Sequence, residues 1–248
     1  MRIGVLGDIH SNLEALTAVV DRMRSDENVD EWVQVGDIVG YGADPIPCID
    51  LVRELKCTVS IGNHDAAVVG RLDTDYFNAY ARVAIEWTRE QLSREYLEYL
   101  DGLPLFVERA EYTVVHGSMH RPDQFGYVIS PVEAIDSIKA QQTRVAFVGH
   151  SHVPAVYFQK RGSDVENLGC EFHPEIQGNI SGYERVLVNV GSVGQPRDED
   201  PRAAYCVYDT ETLEISIGRV EYDIETTQSK IRAAGLPAVL ADRLALGV

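Results

Sequence analysis

Residues 1–12 read MRIGVLGDIHSN. Ile3-Gly4-Val5-Leu6 is a short apolar run that stops at Gly7, and Asp8-Ile9-His10 follows. A run this short and this apolar is expected to form a strand buried on both faces. Gly7 lets the backbone turn where the strand ends. If strand geometry persists past Gly7, Asp8 and His10 project to the same side, because side chains two apart share a face. A carboxylate and an imidazole leaving one strand end together make half of a metal site. Taken alone, the pair reads as a turn residue and a loop residue before a helix. Its recurrence along the chain decides otherwise.

Three more apolar strands close with the same punctuation: Gly36-Asp37, Gly62-Asn63-His64-Asp65 and Gly149-His150-Ser151-His152. A fifth, Val115-His116-Gly117, carries its glycine on the other side. Between them lie segments with helical spacing. Asn12 to Arg24 places Leu13, Leu16, Val19, Val20 and Met23 on one face, with Ser11 or Asn12 as cap and Glu14 in the first turn. Ile46–Leu55 and Pro131–Gln141 read as helices, and Asp73 to Leu100 as one long helix ended by Gly102 and Pro104. Strands are expected over 32–35, 57–61, 105–108, 112–115, 144–148, 153–159 and 185–190, with an antiparallel pair over 203–209 and 213–222. This alternation predicts an α/β fold with a parallel sheet. Lys160 to Tyr183 is polar and glycine-rich, and reads as a hairpin or an insertion. With no internal repeat and no linker, residues 1–248 read as one domain, with 223–248 a two-helix tail broken at Gly235 and Pro237.

Composition narrows the function classes. The formal charge is −17, from 39 acidic and 22 basic residues. Nucleic acid is disfavoured as a partner, because phosphate backbones are held by Lys and Arg. An anionic substrate would need local positive charge, which bound metal can supply. No apolar run approaches the roughly 20 residues of a membrane span, and Arg2 runs directly into a strand, so no membrane partner and a cytoplasmic location are expected. Cys48, Cys57, Cys170 and Cys206 form no C-x-x-C pair and are expected to be reduced and buried.

Ligands of open α/β sheets bind beyond the carboxyl ends of the strands, so the glycine-punctuated ends should converge on one rim. Five of the seven histidines fall in them, and only His120 and His173 do not. Imidazole, carboxylate and an Asn amide oxygen suit Mn²⁺, Fe or Zn²⁺ rather than a thiolate-seeking metal. Single catalytic zinc sites take about three protein ligands. Asp8, His10, Asp37, Asn63, His116, His150 and His152 make seven, which points to two ions sharing a carboxylate about 3.5–4 Å apart.

In order, these motifs (D-x-H, G-D, G-N-H-[DE], H-G and G-H-x-H) resemble those of the calcineurin-like metallophosphoesterase superfamily over positions 8–152. Asn189–Arg197, NVGSVGQPR, is similar to a stretch of the small single-domain prokaryotic phosphodiesterase branch, with Val190 where that branch reads Pro. The resemblance implies a four-layer α/β/β/α sandwich. It implies Asp8, His10, Asp37 and His152 at one metal, and Asp37, Asn63, His116 and His150 at the other. The ions would be Mn²⁺ or Fe, with Zn²⁺ or Ni²⁺ as alternatives. A metal-bridging hydroxide would attack phosphorus, and His64, with a pKa near neutrality, would give a proton or a hydrogen bond to the leaving oxygen. Asp65 would orient His64 or cap a helix.

The superfamily's protein phosphatases and symmetrical dinucleoside tetraphosphatases carry G-D-x-V-D-R-G. Here the stretch is Gly36-Asp37-Ile38-Val39-Gly40-Tyr41-Gly42, without the Asp-Arg pair. Arg197 is a substitute phosphate clamp or a loop ion pair with Asp198 or Asp200. Asn12 is a phosphate contact or an N-cap. The leading reading is a phosphodiesterase acting on a small or nucleotide-like phosphate ester. The alternatives are a phosphomonoesterase or protein phosphatase on the same site, and a non-catalytic scaffold with this fold. Substrate choice is expected to rest on loops 41–47, 118–126 and 160–183. The oligomeric state is open, a homodimer included.

Overall fold

The central strands are apolar and buried on both faces, so one face of each packs against a second sheet and the other against helices. A computed structural model describes residues 1–248. In chain order the elements are β1 (Arg2–Leu6), α1 (Leu13–Arg22), β2 (Glu31–Gln34), α2 (Pro45–Glu54), β3 (Thr58–Val59), α3 (Asn63–Val68), α4 (Ala79–Gln91), α5 (Arg94–Asp101), β4 (Phe106–Glu108), β5 (Tyr112–Val115), α6 (Pro131–Ala140), β6 (Val145–Val148), β7 (Ala155–Lys160), β8 (Gly169–Glu171), β9 (Ile176–Asn179), β10 (Tyr183–Asn189), β11 (Ala203–Asp209), β12 (Glu214–Val220), α7 (Ile224–Ala233) and α8 (Ala238–Asp242). One six-stranded sheet has the order β3-β2-β1-β11-β12-β9, and the other β4-β5-β6-β10-β7-β8.

Ile3 and Val5 of β1, Val145 and Phe147 of β6, and Val186 and Val188 of β10 point into the space between the sheets. The alternate residues point outward. Leu6 and Val207 pack under α1 and α2, while Ala146, Val148 and Leu187 pack under α6. The result is a four-layer α/β/β/α sandwich, as the resemblance implied.

Three local expectations need correction. Neither sheet is all parallel: β1-β2-β3 and β5-β6-β10 are parallel trios, flanked by antiparallel partners such as β11 and β7. The segment 73–100 is not one helix. Asn78 caps α4, its Oδ1 accepting from the amides of Tyr80 and Ala81 at 3.0 Å, and Ser93 stands extended at the start of α5. Both are residue types that start helices rather than continue them. Residues 160–183 are a hairpin only in their first half: β8 returns antiparallel on β7 in one sheet, whereas β9 pairs with β12 in the other, so the segment then crosses between the edges of the two layers.

Cys170 is exposed rather than buried, and all four cysteines are free. The 223–248 tail is held to the body by Lys230, which pairs with Glu14 and with Asp44 at 2.8 Å. No helix is long and apolar enough to cross a membrane.

Candidate metal centre

The carboxyl ends of β1, β2, β3, β5, β6 and β10 meet on one rim, and their loops are stitched together by main-chain bonds. The amides of Ile9 and His10 donate to the Asp37 carbonyl at 2.9 and 3.0 Å, Gly149 donates to His116 at 2.9 Å, and Gly194 donates to Asp8 at 2.9 Å. The glycines permit this closeness. A Cβ on Gly62 would meet the Asp37 carboxylate, one on Gly149 the Asp8 carboxylate, and one on Gly7 the Gly191 carbonyl. Close approach therefore accounts for Gly7 better than freedom to turn does. Val190, where the related branch reads Pro, donates its amide to the Val148 carbonyl at 3.0 Å, a bond that proline could not make.

Strand geometry does not persist to His10. His10, Asp37, His150 and His152 all lie in the left-handed region, with φ of 49°, 58°, 66° and 62°. That region is uncommon for residues with a Cβ and marks strain held by the surroundings. The convergence of Asp8 with His10 thus comes from a tight loop, not from strand alternation.

All seven candidate ligands come together. Asp8, His10 and His152 form one group, Asp37, His116 and His150 another, and His10, Asp37 and His64 a third that overlaps both, the ligand atoms in each lying within 4.8 Å of one another. Asn63 Oδ1 is 2.9 Å from His116 Nε2. Asp37 stands between the groups, its Oδ2 3.6 Å from His10 Nε2 and 3.3 Å from His116 Nε2. All of these side chains except that of Asn63 are buried.

The hydrogen-bond pattern shows what the centre is built to hold. His10 Nδ1 lies 3.1 Å from the Val39 carbonyl oxygen, His116 Nδ1 3.1 Å from that of Val35, and His152 Nδ1 2.6 Å from that of Gln195. A carbonyl only accepts, so each Nδ1 carries a hydrogen and, whenever the ring is neutral, its Nε2 presents a lone pair. Yet the Nε2 atoms of His10 and His152 face each other at 3.2 Å. His116 Nε2 faces the Asn63 amide oxygen and the Asp37 carboxylate. Acceptors facing acceptors need a cation between them: a metal ion, or at His116 the second proton that its carboxylate neighbours favour. Carbonyl-anchored imidazoles are also how metal-binding histidines are oriented. The N/O donor set fits divalent ions held by these residues.

Charge follows the same logic. Burial, helped by Asp37, pushes Asp8 up to about 7. Burial also opposes the charge on Asp37, but His116 and the neighbouring imidazoles outweigh it and hold Asp37 well below the usual carboxylate range. Burial alone would lower His116; Asp37, Asp8 and Asp65 reverse that and raise it to about 9. Burial keeps His10, His150 and His152 neutral. Without metal, then, the centre holds its negative charge against a protonated His116.

The remaining predicted residues divide. His64 is buried beside the centre, its ring 4.4 Å from that of Tyr41 and 4.8 Å from that of His10, and its Nδ1 has no hydrogen-bond partner. Burial pulls it down to about 4, not the near-neutral value expected. The Asp65 carboxylate makes no hydrogen bond to the His64 ring. It accepts from the amides of Asp37 at 2.8 Å, Gly62 at 3.1 Å and Val39 at 3.1 Å, so it braces the loop that carries Asp37.

Asn12 is not available to phosphate: its Oδ1 accepts from Ala15 and Thr227, its Nδ2 donates to Gly194, and it is 1% exposed. Arg197 pairs with neither Asp198, which is bound to Arg219, nor Asp200, which is bound to Arg202. It donates to Gln195 Oε1 at 2.8 Å, lies 5.7 Å over the Tyr41 ring, and keeps an unpartnered Nε.

A cavity of about 590 Å³ opens beside the centre, lined by His64, Asn63, His150 and Arg197 and by residues of 72–81 and 124–127. Of the loops expected to shape it, 41–47 contributes Tyr41 and 118–126 contributes Gln124 and Phe125, whereas 160–183 contributes nothing. Tyr41, Phe77 and Tyr127 were not singled out in the sequence. The only available signal was the aromatic directly after Gly36-Asp37-Ile38-Val39-Gly40.

Comparison with known proteins agrees with this geometry. The family model for the calcineurin-like phosphoesterase superfamily domain matches residues 1–213. An uncharacterised protein of Methanocaldococcus jannaschii is 39% identical over 249 residues, 99% of this chain and 98% of its own length. The crystal structure of a metallophosphoesterase from Sphaerobacter thermophilus superposes with a TM-score of 0.88 at 40% identity, over 100% of both chains. That of a hypothetical protein from Pyrococcus horikoshii shares the fold, with a TM-score of 0.80 at 20% identity over 100% of this chain and 98% of its own.

Proposed function

The chain belongs to the calcineurin-like phosphoesterase superfamily, and we propose that within it this protein is a two-metal phosphodiesterase acting on small or nucleotide-like phosphate esters. The observation that carries the reading is the pair of acceptor-lined groups on either side of Asp37. Asp8, His10, Asp37 and His152 would hold one divalent ion, Mn²⁺ or Fe in the first instance. Asp37, Asn63, His116 and His150 would hold the second. Such a pair supplies an activated water and neutralises developing charge on the phosphoryl oxygens.

The chain's own groups do the rest. The carbonyls of Val39, Val35 and Gln195 keep three imidazoles turned toward the centre. Asp65 holds the Asp37 loop in its left-handed conformation. His64, neutral at pH 7, offers a ring N–H to the leaving oxygen. Arg197, free of any carboxylate, offers its guanidinium to a phosphoryl oxygen. One arginine beside the centre, with glycine and tyrosine at positions 40 and 41, suits the single charge of a diester better than the double charge of a monoester.

The test is hydrolysis of bis-p-nitrophenyl phosphate against p-nitrophenyl phosphate by the purified protein in Mn²⁺, with and without chelator. Faster turnover of the diester, abolished by prolonged dialysis against EDTA, is the expected result. A preference for the monoester would move the assignment to a phosphomonoesterase. Full activity without metal would overturn the mechanism.

A further inference from the structure

The wall of the cavity beside the metal centre has an unusual composition. Aromatic residues are 8% of the chain, yet Tyr41, Tyr76, Phe77, Phe125 and Tyr127 are five of the thirteen residues that line it. Tyr76 and Tyr127 come from different segments and leave 82% and 51% of their surface exposed. Tyr127 lies flat on the His150 ring, with 3.8 Å between centroids and 20° between planes. Tyr76 stacks on no other ring. An exposed aromatic at a cavity wall, with no ring on either face as at Tyr76 or with one face still open as at Tyr127, is a stacking platform.

Charge selects further. Among 39 acidic residues in the chain, none lines this cavity, and the one fixed charge in its wall is Arg197. Two amides complete the wall. Asn78 uses its Oδ1 on the amides of Tyr80 and Ala81, which leaves its Nδ2 as a donor. Gln124 is exposed, with both amide groups available. The volume of about 590 Å³ falls in the roughly 300–1,000 Å³ range of small-ligand sites. A sugar phosphate or a glycerol ester would leave the aromatic faces wet. A planar, uncharged ring with a polar edge, attached to a phosphoryl group, would cover them.

We propose that this cavity seats a nucleobase, so that the substrate is a nucleoside phosphoester whose phosphoryl group lies at the metal centre and Arg197 while its base stacks on the wall that includes Tyr76 and Tyr127. The proposal rests on the phosphoesterase reading of the centre and adds the identity of the organic part. The base is recognised chiefly by stacking, with Asn78 and Gln124 meeting its edge. Stacking of this kind changes affinity by roughly tenfold or more per base.

The experiment is calorimetric binding of adenosine 5′-monophosphate, ribose 5-phosphate and phenyl phosphate to the full-length Mn²⁺-loaded protein and to Tyr76→Ala. Bis-p-nitrophenyl phosphate hydrolysis and metal content are measured on each preparation. The nucleotide is expected to bind about tenfold or more tighter than ribose 5-phosphate, with phenyl phosphate between them. Tyr76→Ala should shrink that advantage by weakening the nucleotide alone, with metal content unchanged. Equal affinity for the nucleotide and ribose 5-phosphate would overturn the base site, as would phenyl phosphate binding as tightly as the nucleotide. An advantage that survives Tyr76→Ala intact would overturn the stacking wall. Hydrolysis without nucleotide preference would leave the phosphoesterase reading standing, whereas nucleotide preference without hydrolysis of any ester would remove that reading and leave the base site.

Discussion

The Nε2 atoms of His10 and His152 face each other at 3.2 Å, although each ring has already committed its Nδ1 hydrogen to a main-chain carbonyl, that of Val39 and that of Gln195. Two lone pairs pointed at each other in a buried site repel. The contact is stable only with a positive charge between the rings. Protons can supply it weakly and divalent ions strongly.

Metal loading should therefore be visible in stability. A ligand at about 1,000 times its dissociation constant adds about 4 kcal/mol, which in a chain of this size raises Tm by roughly 8–16 °C. Scanning calorimetry of the chelated and Mn²⁺-reconstituted protein checks this, and elemental analysis should find about two ions per chain. Asp37→Ala should lose both ions, because Asp37 stands between the two groups. Retention of one full equivalent by that variant would separate the groups.

Loading should also displace protons. Asp8 is pushed up to about 7 and His116 to about 9, and ligands must be deprotonated to bind metal. Near pH 6 both groups hold protons, so binding should release about two. Near pH 8 only His116 does, so about one should be released, and apparent affinity should rise with pH across the interval. Calorimetry in buffers of different ionisation enthalpy measures the count. A release that does not change between pH 6 and pH 8 would contradict the coupling.

His64→Ala should keep its metals and lose turnover. Groups that assist proton transfer contribute typically about 10²–10⁴-fold. The loss should be largest for an alkyl or ribose leaving group and should shrink for p-nitrophenol, which needs little help to depart. Equal loss on both would reassign His64 to the phosphoryl oxygens, and loss of metal would make it a ligand.

Asp65→Ala should damage the centre without removing a ligand. The carboxylate satisfies the amides of Asp37, Val39 and Gly62, and each buried amide left alone costs about 1–3 kcal/mol. The expected outcome is a destabilised protein with weakened metal affinity, partly restored in Asp65→Asn, which keeps an acceptor oxygen. Thermal melts and metal titrations of the two variants decide. An Asp65→Ala protein of normal stability would show that the loop is held by something else.

Which side chains meet at the rim was legible because the signals are local. A short apolar run followed by glycine and a donor residue specifies a buried strand and its exit, and five such exits in one α/β pattern specify a rim. The four-layer sandwich was legible only through the likeness of those motifs to a known family. Alternation alone suggested a parallel sheet and an antiparallel pair over 203–222, and missed that this pair joins β1 antiparallel, a pairing as distant as Arg2 with Asp209.

What the sequence alone determined about this protein is which side chains could meet; only the tertiary structure decided what each does there. Asn12 and Arg197 were each left with two readings. Asn12 is consumed by Ala15, Gly194 and Thr227, while Arg197 is released because Asp198 and Asp200 go to Arg219 and Arg202. Asp65 was open between orienting His64 and capping a helix; its carboxylate caps α3 through the Gly62 amide and also holds the amides of Asp37 and Val39. The left-handed turns at His10, Asp37, His150 and His152 have only a weak signal in residue type, since His and Asp enter that region more often than most residues but usually do not. The reason is common to all of these. A polar side chain has a fixed number of donors and acceptors, and which of them remain for function depends on partners that chain closure brings from far away in sequence.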